Sequence, residues 1–179
     1  MANNTGSMTA RKSLITGLFR NREAADNAYQ ALIDLGYSRD DINLVMSDET
    51  RNRYYPANDT PHETGHKTME GAGVGGAIGT TVGAILGALA AIGTSLVVPG
   101  LGLVIAGPIV AALAGAGAGS ITGGLIGGLI GAGIPEDTAK AYEKGIREGG
   151  ILISVEPRSD GDAERIEREW KNLGGELVR

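Results

Sequence analysis

Apolar and polar positions divide the chain into two patterned flanks and one long stretch without charge. Residues 71–134 are 64 consecutive positions lacking Asp, Glu, Lys, Arg and His. In the first flank, Ser13 to Phe19 predicts a strand rich in apolar residues. Asn21 caps a following helix, with Glu23 in its first turn and Ala24, Ala28, Leu32 and Leu35 along one face; Gly36 supplies the stop. Ile42 to Met46 is a second short strand. In the other flank, Pro135 opens a helix with Glu136 and Asp137 near its positive end and Lys144 and Arg147 near its negative end. Gly149-Gly150 ends that helix, and Ile151 to Val155 predicts a third strand. Asp160 or Asp162 then starts a helix with Ala163, Ile166, Trp170 and Leu173 on one face. Gly174-Gly175 stops it, and Glu176 to Val178 makes a fourth, edge strand.

With residues 47–149 set aside, the order is strand–helix–strand, strand–helix–strand. The fold class expected is therefore α+β, a ferredoxin-like split βαβ-βαβ sheet domain carrying an inserted glycine-zipper helical hairpin. Residues 1–11 form a polar, disordered N-terminus, and 12–46 the first half of the sheet domain. Residues 47–69 have loop composition and predict a flexible linker. The hairpin occupies 70–134 with its turn near 94–107, and 135–179 hold a connecting helix and the second half of the domain.

Small residues recur at every fourth position of the uncharged stretch. One arm carries Gly71, Gly75, Gly79, Gly83, Gly87 and Ala91. The other carries Gly107, Ala111, Gly115, Gly119, Gly123, Gly127 and Gly131. A four-residue period drifts slowly around a helix of 3.6 residues per turn, so each arm presents a groove in which another helix packs closely. Pro99, Gly100 and Gly102 signal the turn between the arms, and Pro108 is placed to reopen a helix. Twenty of the chain's 30 glycines fall in this stretch. Each costs a helix roughly 0.8–1 kcal/mol relative to alanine, so surroundings must offset the cost. A bilayer does so by making helix obligatory; a close-packed protein core does so by contact. Each arm is long enough to cross a hydrocarbon core of about 30 Å.

Charge adds little to this picture. The chain has 16 basic and 21 acidic residues, net −5, with no basic run interleaved with aromatics, which argues against a nucleic-acid surface. Cysteine is absent, which excludes a disulfide framework, an iron–sulfur site and a thiol nucleophile. The N-terminus lacks the apolar core of a secretion signal, so the sheet domain is expected in the cytoplasm.

The residues also carry a resemblance. Thr16-Gly17-Leu18-Phe19 is followed by Asn21-Arg22-Glu23-Ala24-Ala25 and by Leu35-Gly36-Tyr37-Ser38-Arg39-Asp40-Asp41-Ile42. The zipper follows, with Pro99-Gly100-Leu101-Gly102 and Ala106-Gly107-Pro108. Last come Gly133-Ile134-Pro135-Glu136 and Gly149-Gly150-Ile151-Leu152-Ile153-Ser154-Val155. Over residues 12–178 this is similar to the bacterial general-stress proteins of the heat-induced YflT-like type. The resemblance implies a stress-induced, non-enzymatic protein with a glycine-rich hydrophobic insert and no known substrate.

Two motifs invite a catalytic or cofactor reading. His62, Glu63 and His66 match H-E-x-x-H, in which a helix presents two zinc ligands and a general base. Pro61 precedes the motif, Gly65 lies inside it and the chain has no third histidine, so a solvated linker is expected. Gly71-Ala72-Gly73-Val74-Gly75-Gly76 matches a dinucleotide fingerprint, but no strand precedes it. Ala90-Ala91-Ile92 stands where a ribose-binding acid belongs. No serine has a nucleophile-elbow context. Trp170 and Tyr142 are expected in the core, and the charged runs 143–148 and 164–171 on solvated helix faces with i,i+4 pairs.

These observations predict no catalysis, cofactor, metal or small-molecule substrate. The expected protein is a stress-response component associated with the inner membrane through its hairpin, with lipid and other copies of itself as partners. The alternative is a soluble, cytoplasmic homo-oligomer whose hairpins bury one another.

Overall fold

The computed structural model describes residues 14–56, 85, 96–98, 102–110 and 124–178. It is a mixed α+β fold. The strands are β1 (Ile15–Phe19), β2 (Ile42–Ser47), β3 (Leu96–Val98), β4 (Leu103–Ala106) and β5 (Ile151–Val155). The helices are α1 (Arg22–Asp34), α2 (Asp48–Tyr54), α3 (Gly124–Gly131), α4 (Glu136–Arg147) and α5 (Asp160–Asn172). The strands form one sheet in the order β1-β5-β2-β4-β3, and every pairing is antiparallel.

The flanks fold where their patterns place them. Asn21 caps α1 by accepting from the Ala24 N–H at 2.7 Å, and Gly36 leaves the helix at φ +83°. Pro135 precedes α4, and Gly149 follows it at φ +97°. Ser159, one residue before the expected start, caps α5. The exposed faces of α4 and α5 carry i,i+4 pairs, among them Glu136–Lys140 at 2.6 Å, Glu143–Arg147 at 2.7 Å and Glu167–Lys171 at 3.1 Å. Exposed pairs of this kind contribute little to stability each.

Strand alternation builds two cores. Ile15, Phe19, Ile42, Leu44, Met46, Ile151, Ile153 and Val155 face α1 and α5, where Trp170 meets Phe19 edge-on at 5.7 Å. The Trp170 indole N–H donates to the Ala28 carbonyl at 3.2 Å, tying α5 to α1. On the opposite face, Leu18, Val45, Leu152, Leu103 and Ile105 pack under α3 and α4 with Tyr142, Ile146 and Leu129. Gly145 lets α4 approach closely there, because a Cβ at that position would overlap the Leu18 side chain.

Three expectations are corrected. Residues 48–54 of the predicted flexible linker form α2, capped by Ser47, and Tyr55 is fully buried; residues 57–69 lie outside the described residues. Within the predicted turn of the helical hairpin, residues 96–98 and 103–106 are strands. The outer edge of β2 has unpaired backbone groups, and β4 satisfies them in the register Leu44↔Ala106 to Ser47↔Leu103. The predicted edge strand at 176–178 reduces to a bridge: Leu18 and Glu176 exchange backbone hydrogen bonds of 3.0 and 2.8 Å. Leu177 at φ +54° ends the extended conformation after one residue. Among the described residues no helix is long and apolar enough to cross a membrane.

Candidate functional site

The region that bears on function is where the glycine-rich stretch meets the sheet. Four contacts tie the two together. The first is β4 itself, whose Leu103 and Ile105 enter the core under α4 while Val104 and Ala106 face the other side. At one end of this strand, the Asp48 N–H donates to the Gly102 carbonyl at 2.7 Å, joining the start of α2 to the turn before β4.

At the other end lies Gly107, at φ +94°. A Cβ there would overlap the Ile42 carbonyl oxygen and lie 2.8 Å from the Asn43 Cα. Only glycine allows the chain to leave the sheet so close to β2. Pro108 follows, and residues 109 and 110 are helical, as its position predicts. The Ile109 N–H, one of the orphan donors of a helix start, donates to the Asn43 side-chain oxygen at 2.6 Å. This is the second contact.

Asn43 belongs to a buried polar row. Thr16, Ser154 and Asn43 lie side by side across β1, β5 and β2, all at most 4 % exposed. Buried polar groups need partners, and the row has them. The Asn43 amide nitrogen donates to the Ser154 carbonyl at 3.3 Å. The Thr16 hydroxyl lies 2.6 Å from the Tyr142 hydroxyl, which also donates to the Leu177 carbonyl at 2.9 Å. With the single Tyr142 proton directed at Leu177, Thr16 is the donor to Tyr142.

The third contact is on the opposite face. Ile85, from the first glycine-rich arm, is helical, fully buried and packed in the core with Tyr55. Its N–H donates to the Asp26 carboxylate at 3.4 Å, and the Tyr55 hydroxyl donates to the same oxygen at 3.2 Å. Arg22 pairs with the other oxygen at 3.3 Å and stands over the Tyr55 ring at 5.1 Å. Desolvation outweighs these donors and holds Asp26 above the usual carboxylate range. Tyr55 is pushed up by burial and by the facing carboxylate. One turn along α1, burial pushes Tyr29 up to about 12, and its buried hydroxyl has no partner among the described residues.

The fourth contact is α3. Leu125 and Leu129 are buried against α4, while Ile130 on the outer side is 42 % exposed. Among the described residues, a Cβ on Gly127 or Gly131 meets no atom within 4 Å, and the first-arm zipper positions expected to pack against them lie outside those residues. The remaining predicted packing and turn positions lie outside the described residues: Gly71, Gly75, Gly79, Gly83, Gly87, Ala91, Pro99, Gly100, Ala111, Gly115, Gly119 and Gly123. So do His62, Glu63 and His66.

Two cavities flank the junction. One of about 350 Å³ is lined by Tyr37, Asp41, Asn43, Pro108 and Arg158. Arg158 stacks on Tyr37 at 4.2 Å, donates to the Gly36 carbonyl at 2.7 Å and lies 3.6 Å from Asp41. The other, of about 530 Å³, lies between Asp48, Glu49, Gly102, Leu125 and the Glu143–Arg147 pair. Among the described residues no group of three His, Cys, Asp or Glu side chains is placed to hold a metal. Sequence reasoning missed Asp26, Asn43 and Tyr55. Asn43 carried a signal, as a polar residue inside the apolar run of β2; Asp26, beside Ala25 on an amphipathic helix, carried none.

No protein-family model matches the chain, and neither the curated proteins nor the solved structures contain a match.

Proposed function

We propose that the protein is a non-enzymatic structural component of the general-stress type, in which a ferredoxin-like domain carries the glycine-rich stretch folded onto its own sheet. The Glu176 bridge, β1, β5 and β2 run in the fourth-first-third-second order of the split βαβ motif, with α1 and α5 together on one face. The role in stress rests on the resemblance carried by the motifs from Thr16 to Val155. Asp41 and Arg158 at one cavity, and Glu143 and Arg147 at the other, already pair within the protein, which supports a structural reading over a catalytic one.

The observation that carries the proposal is the pairing of β4 with β2, together with burial of Ile109 and Leu125 in the same core. The 15 residues from 110 to 124 begin and end on one face of the sheet. Fully extended they reach about 50 Å, short of the roughly 60 Å needed to cross a hydrocarbon core twice. A bilayer-spanning hairpin with its tip at 94–107 therefore requires β4 to leave the sheet. The outward side of α3 is apolar, and a helix apolar on all sides is buried against protein or lipid. In this reading further copies of the chain cover it, giving a homo-oligomer.

A second reading keeps the inner membrane as the partner. It is favoured by the 64 uncharged residues, a length of apolar chain that few water-exposed domains carry. Fractionation separates the two. Release from the membrane fraction by a carbonate wash, with an oligomer on size exclusion, supports the first. Retention after the wash overturns it in favour of the second.

A further inference from the structure

Strand β1 ends the sheet on one side, and among the described residues only Glu176 bridges to its outer edge. Leu18 and Glu176 exchange backbone hydrogen bonds of 3.0 and 2.8 Å, so Leu18 directs its N–H and C=O away from β5. Orientation repeats every second residue along a strand, so the backbone groups of Thr16 point outward as well. Leu177, at φ +54°, turns the chain away, and Thr16 receives no backbone bond from it. Residues 176–178 are held by few contacts. Besides the bridge, the Tyr142 hydroxyl donates to the Leu177 carbonyl, Arg20 pairs with Glu176 at 3.0 Å in an exposed position, and Val178 is partly buried.

We propose that residues 176–178 guard an edge that otherwise pairs with a second copy of the chain, β1 against β1 across a two-fold axis. This contact between copies is independent of what covers α3. Nothing within β1 itself opposes such pairing. Ile15-Thr16-Gly17-Leu18-Phe19 carries no charge and no proline, and its register against β5 has no bulge.

The edge is complementary to itself. Antiparallel pairing centred on Gly17 sets Thr16 opposite Leu18 of the second copy, and Leu18 opposite its Thr16. These are the residues with outward N–H and C=O groups, so each facing pair exchanges both its bonds. Gly17 then meets Gly17 at the axis, in the non-bonded position where Cα atoms approach to about 4.5 Å. It brings no side chain into that approach, and a Cβ there would lie 2.8 Å from the Trp170 ring. Arg20, which directly follows β1, falls opposite Leu14 of the second copy, so it meets no like charge.

The test is removal of residues 176–179, which keeps the Gly175 N–H on the Trp170 carbonyl at the end of α5. Truncated and full chains are compared by light scattering and by amide exchange at Leu18, over roughly a hundredfold range of concentration. Removal takes away the acceptor of the Leu18 N–H, which leaves a second copy to supply one. The truncated chain should form particles of at least about twice the mass of the full chain, whatever the oligomer number of the latter. Leu18 protection should rise with concentration. Thr16→Pro in the truncated chain removes an outward N–H at the edge and should return the mass to that of the full chain. A folded truncated chain of unchanged mass, with Leu18 exchanging freely at every concentration, would overturn the proposal. Larger particles that persist with Thr16→Pro would do the same. Should the truncated chain not fold, Glu176→Pro removes the N–H that donates to Leu18 and should give the same gain in mass; unchanged mass and unchanged Leu18 exchange there overturn the proposal equally.

Discussion

The side-chain oxygen of Asn43 accepts a hydrogen bond of 2.6 Å from the backbone N–H of Ile109, 66 positions further along the chain. One residue of the sheet domain thus fixes the point at which the second glycine-rich arm leaves the sheet. Asn43→Ala leaves that buried N–H without its partner, at an expected cost of about 1–3 kcal/mol. Gly107→Ala forces a Cβ into the Ile42 carbonyl at a positive φ, at an expected cost of about 2 kcal/mol or more. Thermal unfolding of both variants checks this, and a Tm within one degree or so of the wild type in both would show that the junction carries no load.

The polar row across the sheet makes a second prediction. Tyr142→Phe removes the hydroxyl that links Thr16 to the Leu177 carbonyl, and Thr16→Val removes the opposite partner. Each alone leaves a buried polar group with one bond fewer, and the double variant leaves a matched apolar pair. The two losses should therefore sum to more than the loss in the double variant, by about 0.5–2 kcal/mol in denaturant titrations. Strict additivity would mean that the 2.6 Å contact contributes nothing.

Tyr29 offers the opposite case. Its hydroxyl is buried without a partner among the described residues. Tyr29→Phe keeps the ring and removes a desolvated polar atom, so stability should hold or rise, by up to about 1 kcal/mol. A clear fall in the denaturation midpoint would reveal a partner for this hydroxyl in the rest of the chain.

How much was legible in the sequence depended on whether a local signal existed. Asn21, Gly36, Pro135 and Gly149 act at the ends of α1 and α4 through their own backbone chemistry, and the period of α5 carried Ile166 and Trp170 into the core. By contrast, Leu96–Val98 and Leu103–Ala106 are short, wholly apolar runs in which period does not separate helix from strand. They become strands because β2 has an open edge, which is a tertiary cause. Helix α2 was hidden because its sequence is polar throughout, and only the Ser47 side chain, accepting from the Thr50 N–H at 3.0 Å, marks its start. Gly107 was singled out for a four-residue period and proved critical for a different reason, the approach of two backbones. Asn43 and Asp26 gain their roles from residues 66 and 59 positions away, which no local window contains.

The central claim is that the glycine-rich stretch folds onto the sheet through β4, and Val45 stands directly opposite Ile105 in that pairing. Since the chain has no cysteine, Val45→Cys with Ile105→Cys places a single pair of thiols, at a separation that facing strand positions bring within disulfide reach. Leu18→Cys with Ile105→Cys is the control, on the same face but three strands apart. Mild oxidation of whole cells followed by proteolysis and mass measurement should show an intramolecular Val45–Ile105 disulfide in most molecules and none in the control. Absence of that bond in folded protein, with both variants held in carbonate-washed membranes, would contradict the account.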